Sequence, residues 1–105
     1  MGKAMTIQQM EDIMKDTGFR FDISNAFGHP QTNHSIIVKG DYRITQNYRQ
    51  VTDRWSAYYM NPDERGIPQF DNLTLLGKEL KLEDAINLCL KDEKERFKTE
   101  DEIER

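Results

Sequence analysis

Apolar positions recur along this chain with two periods, and the change from one to the other marks its elements. Val51, Trp55, Ala57 and Tyr59 share one parity while Thr52, Arg54 and Ser56 face the other way, with Asp53 interrupting the apolar row. That alternation predicts a half-buried strand. The run from Asn61 to Pro68 is rich in turn residues, and Leu73-Thr74-Leu75-Leu76 after it reads as a further strand. Gly77 either ends that strand or marks a close approach of helix and sheet, because glycine gives a strand no side chain to pack. Leu82, Ala85, Ile86, Cys89 and Leu90 then recur at helical spacing, with Phe97 two turns beyond Leu90. Lys81 cannot cap this helix through its side chain, but Glu83 and Asp84 in the first turn meet the positive end of its dipole.

The first half is patterned more weakly. Thr6 and Gln9 have the spacing of a capping box, Ile7, Met10, Ile13 and Met14 form one stripe, and Gly18 is placed to end a helix of about three turns. Phe19, Phe21 and Ile23 alternate with Arg20 and Asp22 as a strand does. From Ser24 to Asn33 the residues have turn chemistry and no period, which predicts a long loop containing Phe27 and His29. Ile36, Val38, Tyr42 and Ile44 share a parity across Gly40, so residues 35–46 form either one bulged strand or two strands joined at Gly40-Asp41. The hairpin is the preferred reading, and it opposes Lys39 to Tyr42 and Ile37 to Ile44.

These elements predict an α+β fold: an N-terminal helix, an antiparallel sheet of four to five strands, and a C-terminal helix packed on the sheet. The links between consecutive strands are too short for parallel crossovers. Residues 1–98 are expected to form a single domain and residues 99–105 an acidic C-terminal tail.

Charge narrows the function classes. The formal net charge is −4, and residues 66–105 hold 7 basic against 11 acidic groups. An acidic total argues against a general binder of nucleic acid or anionic membrane, since both require a dense cationic footprint. No stretch approaches the ~20 apolar residues needed to span a bilayer. Cys89 is the one cysteine, so an internal disulfide is impossible and a reducing, cytoplasmic setting is expected.

The pattern offers little for catalysis. His29 and His34 are five apart rather than four, and no thiolate pair accompanies them, so no metal site is assigned. Cys89 sits on an apolar stripe, where cysteine acts as a small hydrophobe. No Gly-rich phosphate loop or nucleophile motif occurs, so no catalytic residue and no cofactor is assigned. Two surfaces are candidates for binding a partner. One interleaves aromatics and arginines: Tyr42, Arg43, Tyr48, Arg49, Arg54 and Tyr58, residue types common at protein hot spots and on single-stranded nucleic-acid platforms. The other is acidic: Glu83, Asp84, Asp92 and Glu95, which could mimic phosphates in a cationic groove.

The pattern Trp55-x-x-Tyr58, then Leu76-Gly77, then Leu82-Glu83-Asp84-Ala85, resembles the strand, strand, helix ending of many short proteins of phages and mobile elements. The order of helix, strands and helix is also similar to that of several small anti-CRISPR proteins. The resemblance implies a non-enzymatic protein-binding module that inhibits a host nucleic-acid enzyme, and it carries over no functional residue. The alternative expectation is a nucleic-acid-binding domain that uses the arginine and tyrosine face. Oligomeric state is left open.

Overall fold

The capping box is formed: Gln9 N–H donates to Thr6 Oγ1 at 3.1 Å and Thr6 N–H donates to Gln9 Oε1 at 2.9 Å. It opens α1 (Ile7–Met14) in a computed structural model that describes residues 5–26, 28–47 and 54–97. At 8 residues, α1 is shorter than the stretch up to Gly18 allowed. The cause is local. Asp16 takes a left-handed φ of 64°, and the Thr17 hydroxyl donates to the Met14 carbonyl at 2.6 Å, which satisfies the helix end three residues before Thr17.

Five strands follow: β1 (Arg20–Ala26), β2 (His29–Lys39), β3 (Tyr42–Gln46), β4 (Trp55–Pro62) and β5 (Pro68–Leu80), then α2 (Leu82–Arg96). Every neighbouring pair is antiparallel and the strands lie in chain order, so the sheet is a simple meander. The chain therefore has the expected α+β fold, with α2 packed on the sheet. Val51 and residues 99–105 lie outside the described residues.

The long loop expected from Ser24 to Asn33 is instead a hairpin. Ile23 opposes Thr32, Ser24 opposes Gln31 and Ala26 opposes His29. Backbone pairing needs no apolar face. This end of the hairpin projects past the core, with Ile23, Ser24, Gln31 and Thr32 all exposed, so no buried row was there to produce a period. Phe27 lies outside the described residues. At Gly40-Asp41 the chain turns as a hairpin, with Lys39 opposite Tyr42 and Ile37 opposite Ile44; Gly40 supplies a φ of 58°. This puts Ile37, Tyr42 and Ile44 on the buried face and Ile36 and Val38 on the other.

Among the described residues the main core cluster lies on one side of the sheet, while Met60, also buried, shares the parity of Tyr58 on the other. Leu82, Ala85, Ile86 and Cys89 of α2 join Ile37, Tyr42, Ile44, Trp55, Ala57 and Tyr59 of the strands, and α1 adds Met10 and Met14. Trp55 is fully buried. β5 runs through Gly77 to Leu80, so the glycine is a point of close approach and not a strand end. A Cβ there would lie 2.8 Å from Leu88 Cδ2 and 2.9 Å from Leu80 Cδ1. Gly77→Val should therefore lower stability by about 1–3 kcal/mol, and Leu88→Ala in the same chain should recover part of that loss, as read by urea unfolding of the double-mutant cycle.

Candidate interaction surface

Tyr42 was expected at the surface, but it is 1 % exposed and belongs to the core. Its parity with Ile44 and its place opposite Tyr59 turn it toward the helices, where the hydroxyl donates to Asp92 Oδ2 at 2.6 Å. Arg96 Nε donates to the same oxygen at 2.9 Å, and its guanidinium carbon lies 3.9 Å from the centroid of the Tyr59 ring. Burial, and then the bond to Asp92, push the Tyr42 phenol well above its ordinary value. Burial alone would raise Asp92, yet the hydrogen bonds from Arg96 and Tyr42 hold its carboxyl below the usual range. Asp92 is thus occupied inside the fold. Beside it, Glu93 forms an ion pair with Lys39 that ties α2 to the end of β2.

The opposite face of the sheet is different. Directly opposed residues share a face, and Arg20, Val38, Arg43, Tyr58 and Leu75 form one row in register across all five strands. Their parity is opposite to that of Ile37, Tyr42, Ala57 and Tyr59, so they point away from both helices. Arg43 Cζ lies 5.4 Å from the centroid of the Phe70 ring, within cation–π range. Phe70 is 73 % exposed, Leu75 50 % and Leu73 41 %. Among the described residues no helix covers this face. The result is a cationic and apolar surface centred on β3, β4 and β5.

Of the residues read as candidates, Arg43 and Tyr58 are brought together here as a direct cross-strand pair. Tyr48 and Arg49 lie outside the described residues. Arg54 is half-buried just before β4, where its carbonyl accepts from Asn47 N–H at 2.8 Å. Glu83 and Asp84 are exposed in the first turn of α2, and Glu95 is exposed near its end. Phe70, Leu73 and Leu75 were not singled out from the sequence. The available signal was that Leu75 and Leu76 are adjacent, so that a strand there must present an apolar side chain on each face.

A cleft of about 460 Å³ lies between the start of α1 and the β1–β2 hairpin, lined by Met5, Ile7 and Met10 and by polar side chains that include Gln31, Asn33 and His34. His34 stands edge-on to Phe21, with ring centroids 4.7 Å apart, and belongs to β2 as does His29. Among the described residues no three His, Cys, Asp or Glu converge as metal ligands. No helix among them is long and apolar enough to cross a membrane. Cys89 is 1 % exposed, and burial, with Asp92 and Glu93 adding repulsion, pushes its thiol up to about 12.

In comparisons with protein-family models, curated proteins and solved structures, the chain matched none.

Two outcomes follow from the buried side. Asp92 is more acidic in the fold than in the unfolded chain, so its stabilisation is complete above the ordinary carboxylate pKa and is lost as pH falls through its lower folded value. Tyr42→Phe should cost about 1.5–3 kcal/mol at neutral pH and should flatten the loss of stability below about pH 5, measured by urea unfolding across pH. The native Cys89 thiol should react with a disulfide reagent at pH 7.5 at least ~100-fold more slowly than in the urea-unfolded chain, because reaction requires the thiolate and access to it.

Proposed function

We propose that this chain is a small non-enzymatic protein-binding module that docks through the open face of β3, β4 and β5. The observation that carries this reading is the exposed Phe70 beneath Arg43, on a face where Tyr58 stands between Arg43 and the exposed Leu75 in register, with Leu73 exposed two residues away on β5. Protein interfaces favour arginine and aromatic anchors within apolar surroundings. Arg20 and Arg43 on this face call for carboxylates opposite them, so the partner surface combines apolar side chains with acidic ones. Resemblance to anti-CRISPR inhibitors makes a host nucleic-acid enzyme the partner class to test first. The same proposal takes the protein as cytoplasmic, on its lone buried cysteine.

The acidic residues of α2 support the competing location less well. Asp92 is consumed by Tyr42 and Arg96 and Glu93 by Lys39, and the exposed Glu83 and Asp84 lie in the first turn of α2, far along the helix from Glu95. Direct binding of nucleic acid through Arg43 and Tyr58 has the further difficulty that few cations share the row.

The test begins with capture from host lysate, with and without nuclease treatment, followed by affinity measurement on the purified partner. Arg43→Glu and Tyr58→Ala should each weaken binding about tenfold or more, whereas Glu83→Lys with Asp84→Lys should change it less than about twofold. Loss of binding in the Glu83 and Asp84 variant would move the site to α2. Salt-sensitive binding of free oligonucleotides that Arg43→Glu abolishes would make the protein a nucleic-acid binder instead.

A further inference from the structure

β5 is the longest strand, at 13 residues, and it forms one edge of the sheet. An edge strand offers unpaired backbone N–H and C=O groups to any other strand, and natural edges are protected by charge, proline or bulges. β1, the other edge, is 7 residues long and carries Arg20 and Asp22. In β5 the stretch from Asn72 to Gly77 contains no charge and no proline. The register slips of β5 fall on either side of Leu73, Thr74 and Leu75, which keep even pairing with Met60, Tyr59 and Tyr58. All three are exposed.

We infer that β5 pairs with β5 of a second copy, antiparallel about a twofold axis at Thr74, to join two five-stranded sheets edge to edge. This segment is its own complement, which selects a second copy of the chain as its partner. A twofold axis perpendicular to the sheet opposes residues of like parity and keeps each face on its own side. Centred on Thr74, it opposes Thr74 to Thr74 and, twice over, Leu73 to Leu75 of the second copy. Thr–Thr and apolar cross-strand pairs are both stabilising. The neighbouring registers are poorer: centring on Leu73 sets Leu75 against Asp71, and centring on Leu75 sets Leu73 against Gly77. Charge agrees, since the Thr74 register brings the end of one strand that carries Asp71 to the end of the other that carries Lys78.

The pairing shares Leu73 and Leu75 with the docking face proposed above but is made through the backbone edge of β5, whereas Arg43 and Tyr58 stand off the sheet face, so Arg43→Glu and the Thr74→Cys cross-link distinguish failure of one from failure of the other. The paired segment is short. Its interface falls near or below the ~1,200 Å² typical of stable complexes, and the dimer is accordingly weak, with a Kd of roughly 10–100 µM.

Sedimentation velocity over roughly 5 to 500 µM protein should show a monomer–dimer equilibrium in that range. Leu73→Lys with Leu75→Lys, both at exposed positions, should weaken it at least about tenfold while leaving the circular dichroism spectrum unchanged. In a Cys89→Ala background, Thr74→Cys should cross-link to itself under mild oxidation, because opposed Cα atoms in an antiparallel pair lie ~4.5–5.5 Å apart, within disulfide reach. Asn72→Cys should not. A wild-type protein that stays monomeric throughout, a dimer that ignores the lysine pair, or cross-linking at Asn72 in place of Thr74 would each overturn the inference. Arg43→Glu should dimerise as wild type does.

Discussion

The packing of α2 across β3, β4 and β5 is the contact on which the other features depend. Leu82, Ala85, Ile86 and Cys89 are each 1 % exposed or less, and they share a core with Trp55 and Ala57, which are fully buried. Each large side chain among them contributes about 1.5–3 kcal/mol through burial. The seat for the helix is made by small residues. Ala57 opposes Gly77 across β4 and β5, and Leu88 rests over the glycine, where even a methyl group would crowd it. Polar contacts at the far end of the helix then fix its position along the sheet, because Tyr42 and Lys39 reach Asp92 and Glu93 on successive residues.

That contact also explains the two-sided character of the molecule. A five-stranded sheet has two faces, and the helices of the described residues pack on one of them. Groups with chemical potential on the covered face are spent structurally: Cys89 is packed, the Tyr42 hydroxyl is bonded, and Asp92 has two donors. On the uncovered face the strands must tolerate water. They do so with an alternation that is only partly polar, and Phe70, Leu73 and Leu75 remain exposed because no helix or strand among the described residues packs over them.

Most of this architecture could be read in the residues. The capping box, the Trp55 parity, the α2 stripe and the hairpin at Gly40 all rest on local chemistry or on a period imposed by one buried face, and such signals survive in a single sequence. The β1–β2 hairpin could not be read because the described side chains of its outer half, Ile23, Ser24, Gln31 and Thr32 among them, are exposed and impose no period. Its pairing is carried by backbone groups that every residue has. Tyr42 was misplaced for a different reason: the interleaving of aromatics and arginines made it a surface candidate, whereas the hairpin register at Gly40 turns it inward to a carboxylate fifty residues away in sequence. The open face was half legible. Arg43 and Tyr58 stood out by type, but their alignment with Phe70 depends on the register of β4 with β5, which slips at more than one point.

Charge is divided along the same line as burial, and this bears on what the open face can meet. The chain as a whole carries −4, with Glu83, Asp84 and Glu95 exposed on α2, while Arg20 and Arg43 stand on the open face. A nucleic acid presents one phosphate after another along its length, so it would feel the net repulsion of the protein well before two arginines could offset it. A carboxylate set in a protein surface is a short-range partner. Salt screens the distant helix charges over about 8 Å at physiological ionic strength, whereas the arginines act at contact distance and, in Arg43, from a half-buried position against an aromatic ring. Under the proposed docking, Arg20 and Arg43, the arginines of this row among the described residues, suit the orientation of an apolar surface bearing one or two acidic groups better than the holding of a polyanion.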